Sequence, residues 1–107
     1  MVKETDIIKN EIVDFYNRIK NTYQVKKVLL YGSYATGTAR EDSDIDVGVV
    51  IDLPEDGDII KITSGLFHYA REIDLDIEPL CITWHDYNNH DPASILADIL
   101  RNSVNII

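Results

Sequence analysis

A single cysteine among 107 residues, Cys81, leaves no partner for an internal disulfide. Flanked by Leu80 and Ile82, it reads as a small core residue rather than a nucleophile. Long apolar runs are also missing: the longest, Val47 to Ile51, is far short of the roughly 20 residues a membrane span needs. The N-terminal stretch MVKETDIIKNE scatters charges among its first apolar residues and lacks the roughly 7–15-residue apolar core of a secretory signal. A cytoplasmic location with no membrane contact is the expectation. There is no repeat, low-complexity tract or linker, so one domain is expected over residues 1–107. Basic residues are scarce, ten Lys and Arg against nineteen Asp and Glu, and a net charge of −9 repels phosphates, which argues against general nucleic-acid binding.

What is present is a folding composition, 45% apolar and 27% charged, too apolar for a disordered chain. Acidity is concentrated after Arg40: residues 1–40 hold seven Lys or Arg and four acids, whereas residues 41–107 hold three and fifteen. That asymmetry has two readings, simple solubility or carboxylates converging on divalent cations.

Ile8, Ile12, Phe15, Tyr16, Ile19 and Tyr23 recur at helical spacing and predict a helix from about Thr5 to Tyr23, with Thr5 as N-cap and Asp6 in the first turn. Val25 to Tyr31 and Ile45 to Ile51 read as strands apolar on both faces, hence central in a sheet covered on two sides. A second helix is expected over residues 58–72, despite the helix-weakening Gly65, and a third strand over about Ile73 to Ile82. Asp91 before Pro92 reads as an N-cap opening a last helix through Ile95, Leu96, Ile99 and Leu100, with a short final strand at Val104 to Ile107. The expected fold class is α/β (α+β), a small mixed β-sheet flanked by helices in two or three layers.

The chemistry concentrates between Leu30 and Asp46. A strand ends in Gly32-Ser33, ten residues intervene, and Asp44 and Asp46 open the next strand on one face. Two carboxylates side by side repel unless a cation sits between them; the bland alternative is an exposed Asp-Ser-Asp turn capping the strand. Magnesium takes oxygen ligands and keeps places for substrate phosphates. Gly32 lets the backbone approach a phosphate, and Ser33 can donate to one from its hydroxyl and its N–H. Tyr34, next in the loop, fits packing or nucleotide contact equally well. The Trp84 to Asp91 stretch carries His85 and His90, but zinc needs three or four converging ligands, and the stretch reads as a solvated loop. Phe15, Tyr16 and Tyr23 fit a buried helix face better than a base-stacking platform.

Gly32-Ser33, ten residues, then Asp44-Ile45-Asp46 resembles the signature of the DNA polymerase β-like nucleotidyltransferase superfamily, and the small size resembles its minimal nucleotidyltransferase (MNT) branch. Gly37, Arg40, Ser43 and the apolar strand after Asp46 extend the likeness; Thr36 departs from it, standing where many relatives carry arginine. The resemblance implies the polymerase β-like fold and Mg²⁺-dependent transfer of a nucleoside monophosphate, AMP from ATP, to a hydroxyl. It implies Gly32 and Ser33 as nucleotide-binding residues, beside which Tyr34 is a candidate from its place in the loop, and Asp44 and Asp46 as catalytic metal ligands. It further implies a third carboxylate on a neighbouring strand, for which Asp74, Asp76 and Glu78 alternate; Glu78 is favoured, Asp76 next, Asp74 last. In that branch the acceptor is often a helical HEPN-domain toxin, with the MNT protein as the antitoxin that adenylylates it. An antitoxin acting by binding alone, and a small-molecule nucleotidyltransferase needing a separate substrate-binding chain, are the alternatives.

Overall fold

The computed structural model describes residues 2–54 and 56–107. Nine elements follow in order: α1 (Thr5–Ile19), β1 (Val25–Tyr31), α2 (Ser33–Thr36), β2 (Ile45–Ile51), α3 (Ile59–Arg71), β3 (Ile77–Thr83), α4 (Trp84–Asn88), α5 (Ile95–Arg101) and β4 (Val104–Asn105). The four strands form one mixed sheet in the order β3-β2-β1-β4. β1 is antiparallel to β2 and to β4, whereas β2 and β3 run parallel, joined by the crossover helix α3. The two strands read from sequence as doubly apolar are the central pair, and β3, at the edge, tolerates Pro79 where a missing N–H matters least.

Alternation sorts the central strands between two cores. Ile45, Val47, Val49 and Ile51 of β2 face Ile8, Ile12, Phe15 and Ile19 of α1 and Leu66 and Ala70 of α3. On the opposite face Val50, Leu29 and Ile82 pack against Trp84 and Tyr87 of α4 and Leu96 and Leu100 of α5. The result is three layers. Gly65, a weak residue inside α3, has a packing reason: the Tyr23 hydroxyl occupies the place a side chain there would fill. Cys81 is partly buried against the first core, and burial pushes its thiol pKa up.

Several boundaries differ from the sequence expectation. α1 stops at Ile19, four residues before Tyr23, which instead turns back onto the core. Its cap position is Glu4, with Thr5 already helical. β3 begins only at Ile77, because residues 73–76 form a turn in which the Asp74 carboxylate accepts the Asp76 amide at 2.9 Å. The last helix is capped by Ser94, whose hydroxyl accepts the Ala97 N–H, while Asp91 makes a local turn with Ala93. Residues 84–88, read as a solvated loop, form α4, capped by the Thr83 hydroxyl. β4 holds two of the four residues expected of a final strand.

Candidate active site

β1 ends at Tyr31 and the chain turns at Gly32, whose φ of 73° and ψ of −155° lie in a region essentially reserved for glycine. The turn starts α2, and the Gly32 carbonyl accepts the Ala35 and Thr36 amides at 3.0 and 3.2 Å. The first turn leaves the Ser33 amide outside the helix's own ladder. Gly37, at φ 79° and ψ 17°, ends α2 in the left-handed conformation. The loop is then closed reciprocally: the Arg40 amide donates to Ser43 Oγ at 2.7 Å and the Ser43 amide to the Arg40 carbonyl at 3.0 Å. That closure delivers Asp44 immediately ahead of β2 and Asp46 as its second residue.

Register does the rest. Asp46 is paired with Tyr31 of β1 on one side and with Glu78 of β3 on the other, so the three side chains form a row on one face of the sheet. That face is the one carrying α4 and α5. Asp46 is partly buried, Asp44 and Glu78 exposed. Burial, with the charges of Glu78 and Asp44 added, raises the Asp46 pKa above the usual carboxylate range. Burial, with the Asp46 and Glu78 carboxylates added, pushes Tyr31 up to about 12, so its hydroxyl stays protonated. Tyr31 is a member of the site that the sequence reading passed over, although its place directly before Gly32 on a strand was visible.

Gly32 is locked to Asp46 from the other direction. A side-chain carbon at position 32 would fall 3.1 Å from Asp46 Cγ and in collision with its Oδ2, so the carboxylate lies directly over the glycine. Tyr34 sits elsewhere: its ring packs against the core beneath α1 and α3, and its hydroxyl receives the Lys3 amide at 3.4 Å. Asp74 and Asp76 are held apart from the row, both ion-paired with the Lys3 ammonium, which is 3.2 Å from Asp76. Of the three candidate acids on the approach to β3, Glu78 is the one in register with Asp46. His85 and His90 lie on and just after α4, where His90 Nδ1 is 2.9 Å from the Tyr87 carbonyl.

Among the described residues no three or more His, Cys, Asp or Glu side chains are already gathered closely enough to hold a metal ion. The donors at hand are all carboxylate oxygens on an open face, and burial, with mutual repulsion added, raises the proton affinity of Asp46. That chemistry fits a hard divalent cation whose remaining ligands are water and substrate phosphate.

The family model for the nucleotidyltransferase domain matches residues 9–89. The chain belongs to that family and is a nucleotidyltransferase. In sequence it is similar to two proteins of Methanocaldococcus jannaschii: "Putative protein adenylyltransferase MJ0604", 39% identical over 69 residues covering 63% of this chain and 69% of that protein, and "Putative protein adenylyltransferase MJ0141", 35% identical over 79 residues covering 70% and 75%. In fold it is similar to a crystal structure described as a putative nucleotidyltransferase from Sulfolobus solfataricus, with a TM-score of 0.62 at 14% identity over 98% of this chain and 89% of that one. A toxin-antitoxin structure with AMP-PNP matches with a TM-score of 0.61 at 20% identity, covering 92% of this chain and 72% of that one. Among the described residues no helix is long and apolar enough to cross a membrane.

Proposed function

We propose that this single-domain chain is a magnesium-dependent protein adenylyltransferase that moves AMP from ATP to a hydroxyl of a partner protein, as the antitoxin of a pair whose toxin is a helical HEPN-domain protein. The observation that carries it is the row Tyr31, Asp46 and Glu78 beside the Gly32-Ser33 turn. The names of the two archaeal relatives support protein as the acceptor, and the toxin-antitoxin fold neighbour supports the pairing.

Ser33 holds phosphate oxygens through its hydroxyl and amide, while Gly32 keeps the backbone clear for their approach. Asp44, Asp46 and Glu78 would hold magnesium, which supplies neutralisation of the charge developing on the phosphates. Glu78, exposed at the sheet edge, either completes that ligand set or stands free of it as the base that accepts the proton of the incoming hydroxyl. The hydroxyl oxygen bonds to the α-phosphorus, the bond from that phosphorus to the bridging oxygen breaks, and pyrophosphate leaves with the electron pair. The acidic half of the chain draws a basic partner surface toward this edge.

Co-expression with the neighbouring reading frame, followed by intact-mass measurement of that neighbour, tests the proposal. Addition of one or more AMP units with the wild-type chain and none with Asp44→Asn is the expected result. A tight, neutralising complex with no adduct would overturn transfer in favour of binding alone.

A further inference from the structure

The α5 helix lies beyond the residues matched by the family model, so family membership assigns it no role. It is nevertheless fixed against the site. Leu96 and Leu100 pack on Leu29, Val50 and Ile82, and the following strand β4 pairs with Leu29 and Leu30 of β1. On its other side α5 forms one wall of a cleft of about 270 Å³, with Asp98, Ile99 and Asn102 facing Tyr31, Gly32 and Thr36. Gly32 is common to this cleft and to the carboxylate row, because Asp46 lies directly over it.

We propose that this cleft seats the nucleoside half of the donor triphosphate, with Asp98 and Asn102 accepting hydrogen bonds from its amino and hydroxyl groups. The proposal rests on the nucleotidyl-transfer reading above. Small-ligand sites run from about 300 Å³ upward, so this cleft suits part of a nucleotide, with the rest left at the carboxylates. The α5 wall of the cleft disfavours the phosphates. The Asp98 carboxylate, held through Oδ1 by Arg101 at 3.4 Å, repels an anion and attracts N–H and O–H donors. Asn102 commits its amide nitrogen to the Asp98 carbonyl at 3.0 Å, which leaves Oδ1 as the acceptor it offers. The Tyr31 ring and the Ile99 side chain supply apolar walls for a flat base. Charge thus divides the ligand: triphosphate toward Gly32 and Ser33, nucleoside toward α5.

Calorimetry with ATP and with inorganic tripolyphosphate, each with magnesium, separates the two halves. Asn102→Leu removes the acceptor, and Ile99→Trp fills the cleft while keeping both polar residues; Asp98→Asn removes the charge with little change of shape should either fold poorly by circular dichroism. The expected result is an affinity for ATP lowered about tenfold or more in the variants, as for hydrogen bonds lost to a bound ligand, with tripolyphosphate affinity unchanged. Wild-type affinity for ATP in all three variants overturns the proposal, as does an equal loss for both ligands. A raised KM for the protein acceptor with KM for ATP unchanged also overturns it, assigning the cleft to the acceptor. If the wild-type chain binds neither ATP nor tripolyphosphate, the nucleotidyl-transfer reading falls and the cleft falls with it; if it binds both and the variants do not discriminate, only the cleft falls.

Discussion

Replacing Gly32 by alanine tests the turn and the carboxylate row together. At φ 73° and ψ −155° an alanine costs about 1–3 kcal/mol in backbone strain alone. The added carbon would also lie 3.1 Å from Asp46 Cγ and 3.3 Å from its Cβ, closer than a nudge of the carboxylate tip can relieve. Asp46 must leave its preferred rotamer, for a further ~0.5–1.5 kcal/mol. The sum is about 1.5–4.5 kcal/mol, a fall of roughly 6–20 °C in Tm for a domain of this size. Gly37→Ala is the control, since its φ is also positive but nothing lies within 4 Å of the added carbon. It should cost only about 1–2 kcal/mol. Denaturant titration of both variants, and of Gly32→Ala combined with Asp46→Ala, measures the difference. The double variant should recover about 1 kcal/mol of the Gly32→Ala loss, because Oδ2 and Cγ are gone. ATP affinity should fall in Gly32→Ala and hold in Gly37→Ala. Equal stabilities for the two glycine variants would refute the contact between Gly32 and Asp46.

Two further outcomes follow from the acids around β3. Glu78→Gln should lower AMP transfer by ~10²-fold or more, whereas Asp74→Asn should leave transfer nearly intact and reduce stability by loosening the Lys3 pair; a silent Glu78→Gln with an inactive Asp76→Asn would reverse the assignment. Burial, followed by the neighbouring Asp74, pushes the Glu11 carboxyl up to about 7 from 4.5, so the folded chain keeps a proton that the unfolded chain releases. Stability should therefore fall as pH rises from about 4.5 toward 7. For Asp74, burial opposes ionisation but Lys3, the Asp76 amide and Glu11 outweigh it and hold its pKa below the usual value, so its contribution is lost only in stronger acid. Glu11→Gln should flatten the decline and gain about 1 kcal/mol at pH 8 after allowance for solvent screening. Urea unfolding at pH 5 and pH 8 reads this directly, and an unchanged pH slope would contradict it.

Features encoded within a few consecutive residues were legible without the fold. β1 and β2 run over the residues that their β-branched and aliphatic runs indicate, and their central position follows from apolar character on both faces. The Gly32-Ser33 turn and the Asp44-Ile45-Asp46 pair are likewise local, because a strand end, a polar turn and a strand start are written in order along the chain. Helix ends were less legible where two caps compete: Asp91 and Ser94 both suit an N-cap, and Asp91 is taken up by its own turn with Ala93.

Only the tertiary structure decided which acid stands beside Asp46. Alternation tells which residues share a face but not which residue of another strand lies opposite, and Asp74, Asp76 and Glu78 alternate alike. The α3 crossover sets the parallel register at Asp46 and Glu78, and the turn before Ile77 removes the other two acids from the strand. Lys3 then draws those two acids to itself across more than 70 residues of sequence. Tyr34 shows the same division: its place after Ser33 is sequence, but the direction of its ring depends on the packing of α1 against the sheet. The cleft beside α5 depends on the docking of Leu96 and Leu100 on Leu29 and Val50 and on the pairing of β4 with β1, contacts between residues about 45 to 75 positions apart. Local propensity and alternation are short-range properties of the chain, whereas register, facing and clefts arise from long-range burial, which no short stretch of sequence encodes.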